Sequence, residues 1–133
     1  MPYRLSPAGD IEVLIVTSRG TAQWIIPKGW PMEGLSDPEA AAREAYEEAG
    51  LMGEIDHEIF GTFTYEKQAK GMDSLSTFVV DVYPMRVERQ LAFWPEATQR
   101  TLVWVSGDHG KSMIRNESLA RLIETFVGQY RFS

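Results

Sequence analysis

Ser36-Asp-Pro-Glu-Ala-Ala-Ala-Arg-Glu-Ala-Tyr-Glu-Glu-Ala-Gly-Leu51 opens as a helix should and then crowds its last turns with negative charge. Ser36 and Glu39 form a capping-box pattern, and Pro38 falls in the first turn, where its missing N–H is harmless. Ala40, Ala41, Ala42 and Ala45 are strong helix formers, and Gly50 suits the residue just past the end. The spacing predicts a helix over about Asp37–Ala49. Glu44, Glu47 and Glu48, at i, i+3 and i+4, then share one face. Like charges so placed cost a helix about 0.2–0.5 kcal/mol per pair. They also sit at the negative end of the helix dipole. A hard divalent cation, which prefers oxygen ligands, would relieve both penalties. The alternative is a solvated acidic face.

The residues just upstream favour the cation. Pro27-Lys-Gly-Trp-Pro-Met-Glu-Gly34 holds two glycines and two prolines and reads as a loop leading into the helix. From Gly29 to Leu51 the chain resembles the Nudix box, Gx5Ex7REUxEExGU, where U is aliphatic. Gly29, Arg43, Glu44, Glu47, Glu48, Gly50 and Leu51 fall at motif positions, with Ala45 a small U. One position departs: Leu35 stands where the first motif glutamate belongs. In the family that glutamate supports the arginine and the metal site. Glu39, four residues before Arg43, and Glu33 in the loop are the candidate substitutes.

The resemblance implies an α/β/α sandwich around a mixed β-sheet, and hydrolysis of a pyrophosphate bond by water attack on phosphorus. It implies Mg²⁺ (or Mn²⁺) at the helix end. Glu44 and Glu48 are assigned to the metal because i and i+4 lie nearest in projection. The resemblance adds the main-chain carbonyl of Lys28, just before Gly29, and makes Glu47 the favoured general base.

Composition is compatible with this. A chain of 133 residues fits one domain, taken here as residues 1–133, and 44% hydrophobic content can fill a single core. There is no cysteine, so disulfides, thiolate metal sites and cysteine nucleophiles are excluded. The formal charge of −6 disfavours nucleic acid, whose binding depends on lysines and arginines neutralising phosphates. It leaves room for a small phosphorylated substrate, because a bound cation can invert the local field. With no signal-like or membrane-length apolar segment, a cytoplasmic protein that binds no membrane is expected. The oligomeric state is open.

Elsewhere, Ile11–Thr17 is an apolar, β-branched run expected to be a buried strand, with Tyr3–Leu5 as a partner strand and Trp24–Ile26 as a third. Glu54–Tyr65 and Leu75–Val87 read as long strands joined by the polar loop Glu66–Asp73, and Leu102–Val105 as another strand. Asn116 or Ser118 can cap a final helix whose Leu119, Leu122, Ile123, Phe126 and Val127 form a core-facing stripe.

Val16-Thr-Ser-Arg19, Trp24-Ile-Ile-Pro27 and Gly61-Thr-Phe63 before a basic loop are similar to diphosphoinositol polyphosphate phosphohydrolases, a group that also accepts diadenosine polyphosphates. That similarity assigns phosphate contacts to Ser18, Arg19, Lys67, Lys70 and Arg100. Trp30 and Trp94 are candidates to stack a nucleobase, Trp24 and Trp104 read as core, and Glu96 could add a carboxylate. The competing readings are a Nudix domain that senses a nucleotide without turning it over, suggested by Leu35, and a hydrolase of nucleoside triphosphates or nucleotide sugars.

Overall fold

The computed structural model describes residues 1–28, 31–68 and 74–130. The elements run β1 (Pro2–Leu5), β2 (Ile11–Thr17), β3 (Trp24–Ile25), α1 (Asp37–Ala49), β4 (Leu51–Ile55), β5 (Gly61–Gln68), β6 (Leu75–Val82), β7 (Met85–Gln90), β8 (Leu102–Val105), α2 (Gly107–Met113) and α3 (Glu117–Tyr130). A mixed sheet has the order β3-β2-β1-β7-β4, with β8 added to β2, and β5 and β6 pair as a separate antiparallel ribbon. The β1–β7 pairing is parallel, and the other pairings are antiparallel.

β2 shows why the sheet is covered on both faces. Its side chains alternate, so Val13 and Ile15 enter one core with Leu119, Ile123 and Phe126 of α3. Leu14 and Val16 enter another with Ala45 and Ala49 of α1, Leu51 and Met85. A strand buried on both faces is apolar throughout, as Ile11–Thr17 is. The result is the expected α/β/α sandwich, with α1 on one side of the sheet and α3 on the other.

The boundaries of α1 and β8 match the sequence reading, and Asn116 caps α3, its Oδ1 accepting from the Leu119 amide at 3.0 Å. Other elements differ. Each long strand-like stretch is broken in two, near Asp56 and Pro84: the Asp56 amide donates to Pro84 O at 2.8 Å, and Asp56 Oδ1 accepts from the Glu58 amide at 2.9 Å. β5 continues through Gln68, which puts Lys67 on a strand opposite Ser76 rather than in a loop. α2 had no periodic signal, being short and polar, and it starts from Ser106, whose side chain accepts from the His109 amide.

Candidate active site

The carboxylates are carried on the last turns of α1. The capping box forms as read, with Ser36 Oγ accepting from the Glu39 amide and Glu39 Oε1 accepting from the Ser36 amide. Gly50 ends the helix at φ 68°, a left-handed value that favours glycine. The segment between β7 and β8 then closes over the helix end. The Leu91 amide donates to Gly50 O at 2.8 Å, Trp94 Nε1 to Glu48 O at 3.2 Å, and the Glu96 amide to Glu47 O at 3.0 Å. Carbonyls that a helix end leaves without partners are thereby satisfied. The same contacts bring Glu96 and Arg100 to the carboxylates.

Glu48 is 1% exposed. Its Oε2 accepts from the Lys28 amide at 3.2 Å. Its Oε1 lies 3.2 Å from Arg100 Nη1, close enough for an ion pair, yet it is buried without a hydrogen-bond partner. Burial, followed by a hydrogen bond to Glu44, pushes the Glu48 carboxyl up to about 8, and Arg100 opposes the rise. Glu44 is also raised, by burial first and by Glu47 and Glu96 nearby, while its hydrogen bond with Glu48 and the charge of Arg100 act against the rise. A proton held on one of these two carboxyls keeps them together, and a bound cation would let both ionise.

The third glutamate, Glu47, pairs with an arginine of its own helix. Arg43 Nε donates to Glu47 Oε1 at 2.9 Å, so the expected pairing of Arg43 with Glu39 does not form. Glu39 is committed to the cap, where its hydrogen bonds with Ser36 hold its carboxyl below the usual range. Leu35 is 39% exposed. Among the described residues, no three histidine or acidic side chains group closely enough to hold an ion between them. Glu44 and Glu48 adjoin each other, and Glu47 acts on Glu44 from one side while paired with Arg43.

The residues read as phosphate contacts occupy unlike positions in the fold. Arg100 is internal: its side chain is 9% exposed, Nε donates to Glu96 Oε1 at 3.1 Å and Nη1 to Thr17 O at 3.0 Å. Arg19 is exposed, but Nη1 donates to Gln99 Oε1 at 3.0 Å and Nε lies 3.8 Å from Glu96 Oε1. Ser18 Oγ braces its own turn, 2.7 Å from Thr21 Oγ1 and accepting from the Gln23 amide. Lys67 is exposed on β5. Lys28 Nζ lies 4.1 Å above the Tyr65 ring. The partly buried indole of Trp94 packs on Gly50. Trp24 and Trp104 are only partly buried, with Arg4 over the Trp104 ring. Gly29, Trp30 and Lys70 lie outside the described residues. Sequence reasoning missed the bridging role of Arg100, although its i, i+4 spacing from Glu96 was a usable signal.

The chain belongs to the Nudix family: residues 5–123 match the NUDIX domain. It is 30% identical to Nudix hydrolase 18, mitochondrial, of Arabidopsis thaliana, an alignment covering 96% of this chain and 73% of that one. Nudix hydrolase 17, mitochondrial, from the same organism is 28% identical over 96% of this chain and 70% of its own. Among solved structures, the C. elegans Ap4A hydrolase in a binary complex superposes with a TM-score of 0.71 at 21% identity, covering 99% of this chain and 94% of that one. The E. coli dihydroneopterin triphosphate pyrophosphohydrolase gives 0.65 at 20% identity, covering 97% and 93%. The protein is thus a Nudix hydrolase, acting on phosphorus-containing acid anhydrides in small phosphorylated substrates.

Nudix hydrolases generally use a divalent metal such as Mg²⁺. The donors present fit one. Mg²⁺ is commonly held by one or two carboxylates together with substrate phosphates, and here Glu44 and Glu48 adjoin, with one buried carboxylate oxygen lacking a hydrogen bond.

Proposed function

We propose that the chain is a pyrophosphohydrolase that cleaves a phosphoanhydride bond in a phosphate-rich small molecule, with a dinucleoside polyphosphate preferred to a diphosphoinositol polyphosphate. The observation that carries the reaction is Glu48 Oε1, buried without a hydrogen bond beside the half-buried Glu44. The preference between substrates rests on Arg100 and Arg19. Both are engaged with Glu96, so among the described residues neither arginine is held free for a densely phosphorylated inositol. The likeness in fold to an Ap4A hydrolase agrees with this choice.

In the proposed reaction Glu44 and Glu48 would hold the cation, and the Lys28 amide keeps Glu48 in place. When bound, a divalent cation neutralises phosphoryl charge and makes water easier to deprotonate. Glu47 accepts the proton from the attacking water as its oxygen bonds to phosphorus. The bridging P–O bond breaks, and its electrons leave with the departing phosphate. Release of Glu47 from Arg43 frees the carboxylate for this task, and a half-exposed pair is weak enough to permit it.

The test is a panel of diadenosine polyphosphates, diphosphoinositol polyphosphate, nucleoside triphosphates and nucleotide sugars with Mg²⁺, each against EDTA. Turnover led by the diadenosine compounds is expected. Binding without turnover above the EDTA control would make the protein a sensor instead.

A further inference from the structure

Arg100 is placed unlike a substrate-gripping arginine. Its guanidinium touches three separate parts of the fold: Glu48 on α1, Glu96 on the β7–β8 segment, and the Thr17 carbonyl at the end of β2. The side chain is 9% exposed, and its two carboxylate partners are 1% and 16% exposed. Glu96 is fixed to the helix by its own amide on Glu47 O, so the two carboxylates are held at one place by the backbone. Glu44, Glu48 and Glu96 act electrostatically on one another there. Held this close, the carboxylates can ionise together in the metal-free protein only with a positive group beside them, because burying an uncompensated carboxylate is strongly unfavourable.

We infer that Arg100 is a positioning residue: its guanidinium is the resident counter-ion of Glu48 and Glu96, keeping both in place in the metal-free protein and competing with a bound cation for the same charge. Two consequences oppose those of a phosphate grip. Removing Arg100 destabilises the metal-free protein far more than the metal-loaded one. By linkage, a cation then binds the variant more tightly than the wild type.

The experiment compares wild type, Arg100→Met and Arg100→Lys by thermal unfolding in EDTA and in saturating Mn²⁺, with Mn²⁺ affinity measured by calorimetry at alkaline pH without substrate. Arg100→Met should lose about 10 °C in EDTA and recover most of that in Mn²⁺. Its Mn²⁺ affinity should rise about 30-fold or more, as that recovery requires. Arg100→Lys, which keeps a charge but cannot bridge both carboxylates, should show the same pattern at smaller amplitude. It decides the matter if the Met variant does not fold. Equal losses with and without Mn²⁺ would make Arg100 a mere fold element and overturn the inference. So would unchanged Mn²⁺ affinity with a steep rise in KM, the signature of a substrate contact. The Mn²⁺ measurements use no substrate, so they stand or fall apart from the proposed reaction.

Discussion

Arg43 Nε lies 2.9 Å from Glu47 Oε1, so the arginine of α1 neutralises the glutamate one turn ahead and leaves Glu39, one turn behind, to the cap. Both partners are partly exposed, at 54% and 30%. Pairs of this kind contribute about 0.2–1 kcal/mol and do not lock a side chain. Glu47 is therefore restrained but available, while Glu48 is buried.

That difference separates base from ligand. Glu47→Gln should lower kcat by about 10²–10⁴-fold, the usual worth of a general base. Mn²⁺ affinity should stay near wild type, since Glu44 and Glu48 remain. A loss of Mn²⁺ binding in step with kcat would move Glu47 among the metal ligands.

Glu48 carries a pH signature. Its carboxyl is pushed up to about 8, above an ordinary value of 4.5, so between these values the folded protein holds a proton that the unfolded chain releases. The stability this group contributes is present below the lower value and is lost as pH rises through the higher one. Melts in EDTA should show Tm falling across that window, with Glu44, also raised, acting in the same direction. Glu48→Gln should flatten the decline and cost about 100-fold or more in turnover. A Tm that climbed over the window would contradict the placement of Glu48.

Because Glu39 bonds Ser36 and not Arg43, Glu39→Ala should leave kcat and KM within about twofold of wild type, as expected for an exposed helix residue away from the chemistry. Ser36→Ala should cost about 1 kcal/mol in urea unfolding, as lost N-caps do. A large fall in turnover for Glu39→Ala would restore it as support for the site.

Gly50 faces two constraints at once, a φ of 68° and the Trp94 ring, whose Cε3 would lie 2.6 Å from an added Cβ. Gly50→Ala should destabilise by roughly 2–4 kcal/mol in denaturant unfolding. It should also loosen the segment that carries Glu96 and Arg100, so turnover should fall in the folded protein. Near-wild-type stability would mean that Trp94 can withdraw freely.

Charge reversal tests the substrate class. Lys67→Glu with Lys70→Glu should raise KM steeply for long dinucleoside polyphosphates, each lost charged contact being worth roughly 1.5–3 kcal/mol. Nucleoside diphosphate sugars should hardly respond. Equal small effects on all substrates would make this stretch ordinary surface.

Local patterns carried a large part of the fold. Capping residues, alanines and Gly50 delimit α1, and the double-sided burial of Ile11–Thr17 is written in its unbroken apolar run. The acidic face of α1 and the family motif were legible for the same reason, since helix spacing relates residues a few positions apart. Side-chain direction was not. Whether Arg43 turns forward to Glu47 or back to Glu39 depends on the cap competing for Glu39 and on Glu48 already being enclosed. Arg100 lies far along the chain from Glu48 and from Thr17, and only the packing of the β7–β8 segment on the end of α1 joins them. Periodicity is a property of neighbours in sequence, whereas the pairing of buried charges is settled by which groups lose water together when the chain closes.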